Sequence, residues 1–459
     1  MKDVYNASMN IKFPTFVLLL LGSLLCDRLK AQDQLILTQR EQASVINEWL
    51  EYRMKHLLPE LMDRTDIDMW VVISREYNED PILKTFLPAQ WFAARRRTML
   101  LMYKAPDAGN VEAIAVARYD VGKSFQRAWD PEVEPDQWNR LITLIKERNP
   151  KKIGINVAED FGHADGLAHT EHQLLKQYLG EDYSQRLVSA KDLAVGWLET
   201  RSQPEMDAYR QLQSIAHAII AEGLSEKVIT PGITTTEDVV WWYREKIKSL
   251  KLDTWFHPTV DLQRAEPETQ NKGDFANKAE EEVILPGDLL HIDFGITYLR
   301  LNTDTQQMAY VLKLNEDEVP AYLQDAFSVG NRLQDILTSQ FKTGSTGNEI
   351  LRASRIIMQN EGIKGSIYSH PLGTHGHAAG PTIGMWDNQG DNPGHGDYPL
   401  FPHTVYAIEL NASVFLSEWK KEVRILLEEG AYFDGDKVTY LNGRQKRILP
   451  IPRPKHMGR

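Results

Sequence analysis

Leu289-Leu290-His291-Ile292-Asp293-Phe294-Gly295 reads as an apolar strand that ends on a carboxylate, and Asn302-Thr303-Asp304 follows it. Pro286-Gly287-Asp288 is a turn leading into that strand, and Gly295 breaks the pattern just past Asp293. Leu299 to Leu301 and Met308 to Leu312 read as a return strand that carries Asp304. Two adjacent antiparallel strands can bring Asp293 and Asp304 side by side. Carboxylates that close repel each other, and one is driven to keep its proton unless a cation lies between them. Taken alone, the pair also fits two strand-end aspartates, one capping a turn and one exposed.

A second stretch points the same way. His370-Pro371-Leu372-Gly373-Thr374-His375-Gly376-His377-Ala378-Ala379-Gly380-Pro381 is too rich in Gly and small residues for an ordinary helix or core strand. Its glycines let the backbone pass close to a ligand or another segment, and neutral imidazole is a common ligand for zinc, iron or manganese. A surface loop with His as polar filler is the competing account. Two glutamates complete the set. Thr404 to Leu410 is a β-branched and aromatic strand that would bury Glu409 near its end, and Val423 to Phe433 is another with Glu428 and Glu429 in its middle. A Glu inside an apolar strand is not expected to be buried unless it is paired or bound to a metal. On an edge strand Glu429 would simply be solvated, and the choice between Glu428 and Glu429 stays open.

The order Asp293-Phe294-Gly295, Asp304, Gly376-His377-Ala378-Ala379-Gly380, Glu409 and Glu428-Glu429 resembles the pita-bread metallohydrolases, the family of methionine aminopeptidase, aminopeptidase P, prolidase and creatinase. Arg201-Ser202-Gln203-Pro204-Glu205-Met206 resembles that family's lead into its catalytic domain, and Pro231 to Glu237 its next helix boundary. The match covers roughly residues 195 to 450, and more loosely everything after residue 40. The resemblance implies two divalent ions, with manganese favoured and zinc or cobalt as alternatives. It implies Asp293 on one ion, Asp304 and Glu428 bridging both, and His377 and Glu409 completing the second site. A water shared by the ions would attack a scissile carbonyl, with Glu409 as proton shuttle.

The chain also departs from the pattern. The His that family peptidases carry just before the first Asp strand is missing from Lys272-Gly273-Asp274-Phe275-Ala276-Asn277, and His257 is the nearest candidate. Trp386 stands where a His is usual, Glu409-Leu410-Asn411 replaces Glu-Pro-Gly, and Gln306-Gln307 occupies the place of an Arg. His370 and His375 are therefore the expected sources of the missing catalytic imidazoles.

The rest of the chain frames this centre. At 459 residues it is long enough for two domains, and its net charge of −12 argues against nucleic acid and anionic membranes as main partners. Lys12 precedes an apolar run from Phe13 to Cys26, and Leu29-Lys30-Ala31 is a fair cleavage site. Residues 1–31 thus read as a signal peptide and the chain as exported, with no membrane association after cleavage. A lipid anchor on Cys26 and an uncleaved anchor are the alternatives. Cys26 is the single cysteine, so the processed chain would have neither disulfides nor thiolate chemistry.

Helical spacing from Thr38 to Leu58 is followed by short strands at Ile67–Ser74, Thr98–Tyr103, Val111–Ala117 and Lys152–Val157, with helical stretches between. This suggests a smaller α/β domain over 32–192, similar to the one preceding the catalytic domain in prolidase, aminopeptidase P and creatinase. In those relatives it helps form a dimer, so a homodimer is expected. Ser202 and Pro204 open a helix running to Gly223, and further helices are expected at Thr236–Leu250, Val319–Thr338 and Asn348–Gln359. Helices alternating with antiparallel strands suit an α+β pita-bread catalytic domain over 193–455. Arg95-Arg96-Arg97 reads as a solvated or ion-paired face, and Asp387 to Asp397 as a rim loop rather than a calcium site.

The resulting expectation is an exported dinuclear metallopeptidase acting on small peptides, with Xaa-Pro bonds suggested by the resemblance alone. A non-peptidase hydrolase of the same fold and a binding protein that has lost catalysis are the competing readings.

Overall fold

The computed structural model describes residues 36–106, 108–265 and 281–453. The expected signal segment and Lys272–Asn277 lie outside the described residues. Contacts divide the chain into a short unit, Met1–Gln42, and a large one, Ala43–Arg459. In the short unit Thr38 and Glu41 cap the start of the helix Gln39–His56: Thr38 N donates to Glu41 Oε2 at 2.8 Å. No helix among the described residues is long and apolar enough to cross a membrane.

The large unit begins with a six-stranded mixed sheet in the order Gln126–Arg127, Glu112–Val116, Arg97–Tyr103, Met69–Arg75, Ile153–Ile155, Leu187–Ser189. Side chains alternate across a strand, so Trp70, Val72, Leu100 and Met102 enter one core while Met69, Val71, Ile73, Met99 and Leu101 enter another. The helices Gln137–Arg148 and His169–Ser184 cover the second face through Trp138, Leu141, Leu175 and Leu179. Leu58–Thr65, Pro81–Phe86 and Lys191–Glu199 cover the first. The Arg95–Arg97 run is ion-paired and stacked: Arg97 Nε lies 2.9 Å from Glu171, and Arg95 lies over Trp91.

The α/β part is fastened to the C-terminal part by a buried charge triad. Arg53 Nη1 lies 2.8 Å from Glu205 Oε2, and Arg201 Nη1 lies 3.0 Å from Glu205 Oε1. Glu205 Oε2 also accepts from Ser202 N, closing the start of the helix Gln203–Gly223. The two guanidiniums hold the Glu205 carboxyl down to about 2 against the opposing cost of burial.

The C-terminal part is α+β. One sheet runs Leu449–Ile451, Thr305–Val311, Leu289–Phe294, Thr259–Gln263. Two others share three long stretches of chain that each break in the middle. Lys364–Ile367, Leu410–Leu416 and Lys421–Leu427 form one sheet, whereas His370–Leu372, Thr404–Ala407 and Gly430–Phe433 form the other, with Val438–Tyr440. The breaks fall at Tyr368-Ser369, Ile408-Glu409 and Glu428-Glu429. A strand that leaves its ladder re-aims its side chains, and here the breaks turn Glu409 and Glu428 inward. The first sheet reaches this seam through a bridge between Gln306 and Glu428. Helices Thr236–Ser249, Ala321–Thr338 and Gly347–Asn360 pack outside, close to the expected boundaries. The return strand begins at Thr305, so Asp304 precedes it instead of riding within it.

Candidate metal centre

Six of the expected residues converge. Groups of potential ligand atoms within 4.8 Å of one another are Asp293, Asp304 and Glu428; His370, Glu409 and Glu428; and Asp304, His370 and His377. The pairing of strands explains the first group. Gln306 opposes Asp293 in register, which leaves Asp304 just beyond the ladder, and the Gln306–Glu428 bridge brings the third carboxylate against both. The Asn302 backbone and side chain both donate to Gly373 O, at 2.9 and 3.1 Å, tying the Asp segment to the His loop. Trp255 closes the other side. Its indole donates to Thr303 O at 2.9 Å and lies so close to Gly376 that a Cβ there would fall 2.1 Å from the ring.

The adjacent glutamates face opposite ways. Glu428 looks into the cluster, 1 % exposed. Glu429 turns to the helix Gln203–Gly223, where His217 Nε2 lies 2.6 Å from its Oε2, and Gln307 Nε2 and Gln445 N donate to its Oε1. The choice left open by the sequence thus falls to Glu428 for the cluster.

The imidazoles also separate. His370 is 2 % exposed, and its Nε2 lies 3.7 Å from Asp304 Oδ2, 3.8 Å from Glu409 Oε2 and 3.6 Å from Glu428 Oε1. Its Nδ1 lies 3.1 Å from Pro371 O. A carbonyl only accepts, so Nδ1 carries the proton and Nε2 presents its lone pair to the carboxylates. His377 is exposed, edge-on to His370 with ring centroids 4.7 Å apart, and flanked by Trp255 and Tyr368. His375 stands outside all three ligand groups and packs against His163 of the α/β part, centroids 4.5 Å apart. His257 contacts Arg244 and Trp241. In the loop Asp387 to Asp397, Asp391 pairs with Arg352, Asp397 accepts from Asn348, and His395 stacks on Phe161 of the α/β part.

The electrostatics of the cluster call for cations. Burial, then the neighbouring Asp293 charge, pushes the Glu409 carboxyl up to about 8. Burial followed by Asp293 and Glu409 raises Asp304, and burial followed by Asp304 raises Glu428, both well above the carboxylate range. Burial, then His377, drives His370 down to about 3, so it is neutral. His370 Nε2 and Glu428 Oε1 are buried and make no hydrogen bond. Three carboxylates around an aimed, neutral imidazole, with Asp293 beside Asp304 and Glu428, form a dinuclear metal-binding site with mostly oxygen ligands.

Residues 207–433 match the family model of metallopeptidase family M24. The chain belongs to metallopeptidase family M24. No curated protein matches it significantly in sequence. Solved structures share the fold of this M24 enzyme over most of their length. The X-Pro aminopeptidase of Thermotoga maritima MSB8 aligns at a TM-score of 0.58 with 17% identity, covering 84% of this chain and 99% of that one. The Xaa-Pro dipeptidase of Bacillus anthracis aligns at 0.55 with 16% identity, covering 89% and 99%. The prolidase of Pyrococcus horikoshii OT3 aligns at 0.51 with 16% identity, covering 89% and 100%. The pita-bread catalytic domain and the smaller α/β domain before it are thus those of this fold.

Proposed function

We propose that this M24 enzyme is an exported, manganese-dependent peptidase that cuts small peptides next to proline and works as a homodimer. The observation that carries the metallopeptidase reading is the convergence of His370 Nε2 on Asp304, Glu409 and Glu428 with Asp293 beside them. We assign the imidazole ligand to His370. His377, which the sequence pattern favoured, fits better as the group facing substrate, because its ring is exposed beside the ligand set and walled by Trp255 and Tyr368.

When bound, the ions would activate a water and polarise the scissile carbonyl. Asp293, Asp304, His370, Glu409 and Glu428 would hold them. The chain's own residues supply the rest. Glu409, 21% exposed against 1% for Glu428, is the carboxylate placed to pass a proton between the attacking water and the leaving nitrogen. His377 and Trp255 orient the peptide, and His375 with His163 closes the wall toward the α/β part.

The proline preference is supported by the X-Pro aminopeptidase and Xaa-Pro dipeptidase among the structural relatives, and manganese by the oxygen-rich ligand set. Export rests on the apolar segment before Ala31, and the homodimer on the presence of the α/β domain. Turnover of a panel of Xaa-Pro dipeptides, Xaa-Pro-Xaa tripeptides and proline-free controls by the manganese-loaded enzyme tests the reading. Cleavage confined to the proline peptides is expected; cleavage of the controls alone removes the proline preference, and no cleavage of any peptide removes the peptidase.

A further inference from the structure

We infer that Gln306 and His291 form a relay behind the metal centre that turns one oxygen of Glu409 and one of Glu428 into it. The relay rests on the metal-centre reading and assigns a task to the glutamine that stands where an arginine was expected. Gln306 is 5 % exposed and fixed at the seam between sheets. Its backbone N donates to Glu428 O at 3.0 Å, and Glu428 N donates to its O at 3.2 Å. Its side-chain Nε2 donates to Glu409 Oε1 at 2.8 Å and to Glu428 Oε2 at 3.2 Å. Its Oε1 lies 2.9 Å from His291 Nε2.

Chemistry fixes the polarity of this chain of contacts. A carboxylate that ligates a metal is ionised and only accepts, so in the metal-bound enzyme the amide NH2 must face the two glutamates and the carbonyl must face His291. His291 then has to carry a proton on Nε2. The strands hold that arrangement in place: His291 pairs in register with Asp261 on one side and Met308 on the other, and its Nδ1 lies 3.7 Å from Asp261 Oδ2. Side chains two apart share a face of a strand, so His291 lies on the same face as Asp293.

The consequence lies in which oxygens are taken. Gln306 occupies Glu409 Oε1 and Glu428 Oε2. The remaining oxygens, Glu409 Oε2 and Glu428 Oε1, are those that converge on His370 Nε2 at 3.8 and 3.6 Å. One uncharged amide thereby orients two ligands from separate strands without placing a cation beside two divalent ions. Gln306 and His291 are positioning residues, His291 acting only through Gln306.

Manganese(II) titration of the full metal-stripped chain by calorimetry, with the electron paramagnetic resonance spectrum of the bound ion, tests this. Gln306→Met keeps the length and removes both polar ends, and is expected to weaken manganese binding by about 10–100-fold and to alter the spectrum. His291→Phe should weaken it in the same direction. His291→Gln, which retains an N–H donor, should recover most of the loss. The double variant Gln306→Met, His291→Phe should bind no worse than Gln306→Met alone. Wild-type affinity in Gln306→Met and His291→Phe, or losses that multiply in the double variant, overturn the relay. If Gln306→Met does not fold, the His291→Phe and His291→Gln pair decides: equal affinities overturn the relay, and recovery by Gln supports it. A wild-type chain that takes up no manganese overturns the metal centre and the relay with it.

Discussion

His370 Nε2 lies 3.6 Å from Glu428 Oε1, and neither atom makes a hydrogen bond although both are buried. Two unsatisfied polar atoms facing each other in a buried site cost free energy unless something sits between them. A divalent ion satisfies both. His370→Ala is therefore expected to lose metal along with activity. His377→Ala, whose ring is exposed and edge-on to His370, should keep its metal and lower kcat/KM instead. Metal content by mass spectrometry beside peptide kinetics separates the two; equal metal loss in both variants would contradict the assignment.

The neighbours Glu428 and Glu429 should behave as opposites. Glu428→Gln removes a charge facing Asp304 and is expected to abolish high-affinity metal binding. Glu429→Gln breaks a buried network of His217, Gln307 and Gln445. It should cost about 1.5–3 kcal/mol of stability with metal affinity little changed. Urea unfolding and manganese titration on both variants read the contrast directly.

The metal-free enzyme should lose stability as pH rises. Glu409 is raised to about 8 by burial and Asp293, against an ordinary value near 4.5 in the unfolded chain. The folded state therefore binds more protons than the unfolded state between those values. The stabilisation is fully present below about pH 4.5 and is lost as pH rises through about 8, by roughly 1 kcal/mol per unit for one such group. Bound metal replaces those protons, so the difference in Tm between metal-loaded and stripped protein should widen with pH. A gap that stays constant from pH 5 to 8 would mean that no raised carboxylate is involved.

Removing the anion of the buried triad should be severe. Glu205→Ala leaves Arg53 and Arg201 facing each other without a counter-charge, at a cost of about 3–5 kcal/mol. Because Glu205 is held down to about 2, the wild-type contribution persists above about pH 4.5 and is lost as pH falls through 2. Denaturant unfolding of the variant at neutral pH gives the magnitude, and a loss under about 1 kcal/mol would show that the junction rests on apolar packing instead.

Much of this was legible in the sequence because it depended on local pattern. The apolar strand ending at Asp293, the Ser202 to Glu205 helix start and the four catalytic-domain helices follow from periodicity and capping. The parts that were not legible depend on where a strand breaks. Glu428 and Glu429 look equivalent in an alternating pattern, and only the break at that point sends one to the metal cluster and the other to His217. The His loop poses the same difficulty. His370 and His377 lie in the same Gly-rich stretch, and the distinction comes from Nδ1 of His370 meeting Pro371 O, a contact that spacing does not encode. Gln306 looked like the loss of an arginine, whereas its amide makes contacts to Glu409 and Glu428 that only the meeting of two sheets creates.

The most direct measurement is anomalous diffraction from crystals of the full enzyme soaked with manganese. Two adjacent peaks are expected among Asp293, Asp304, Glu409 and Glu428, with His370 Nε2 as the imidazole ligand and His377 free to meet substrate. A cluster without peaks, or a pair of peaks bound by His377 and not by His370, would contradict the account.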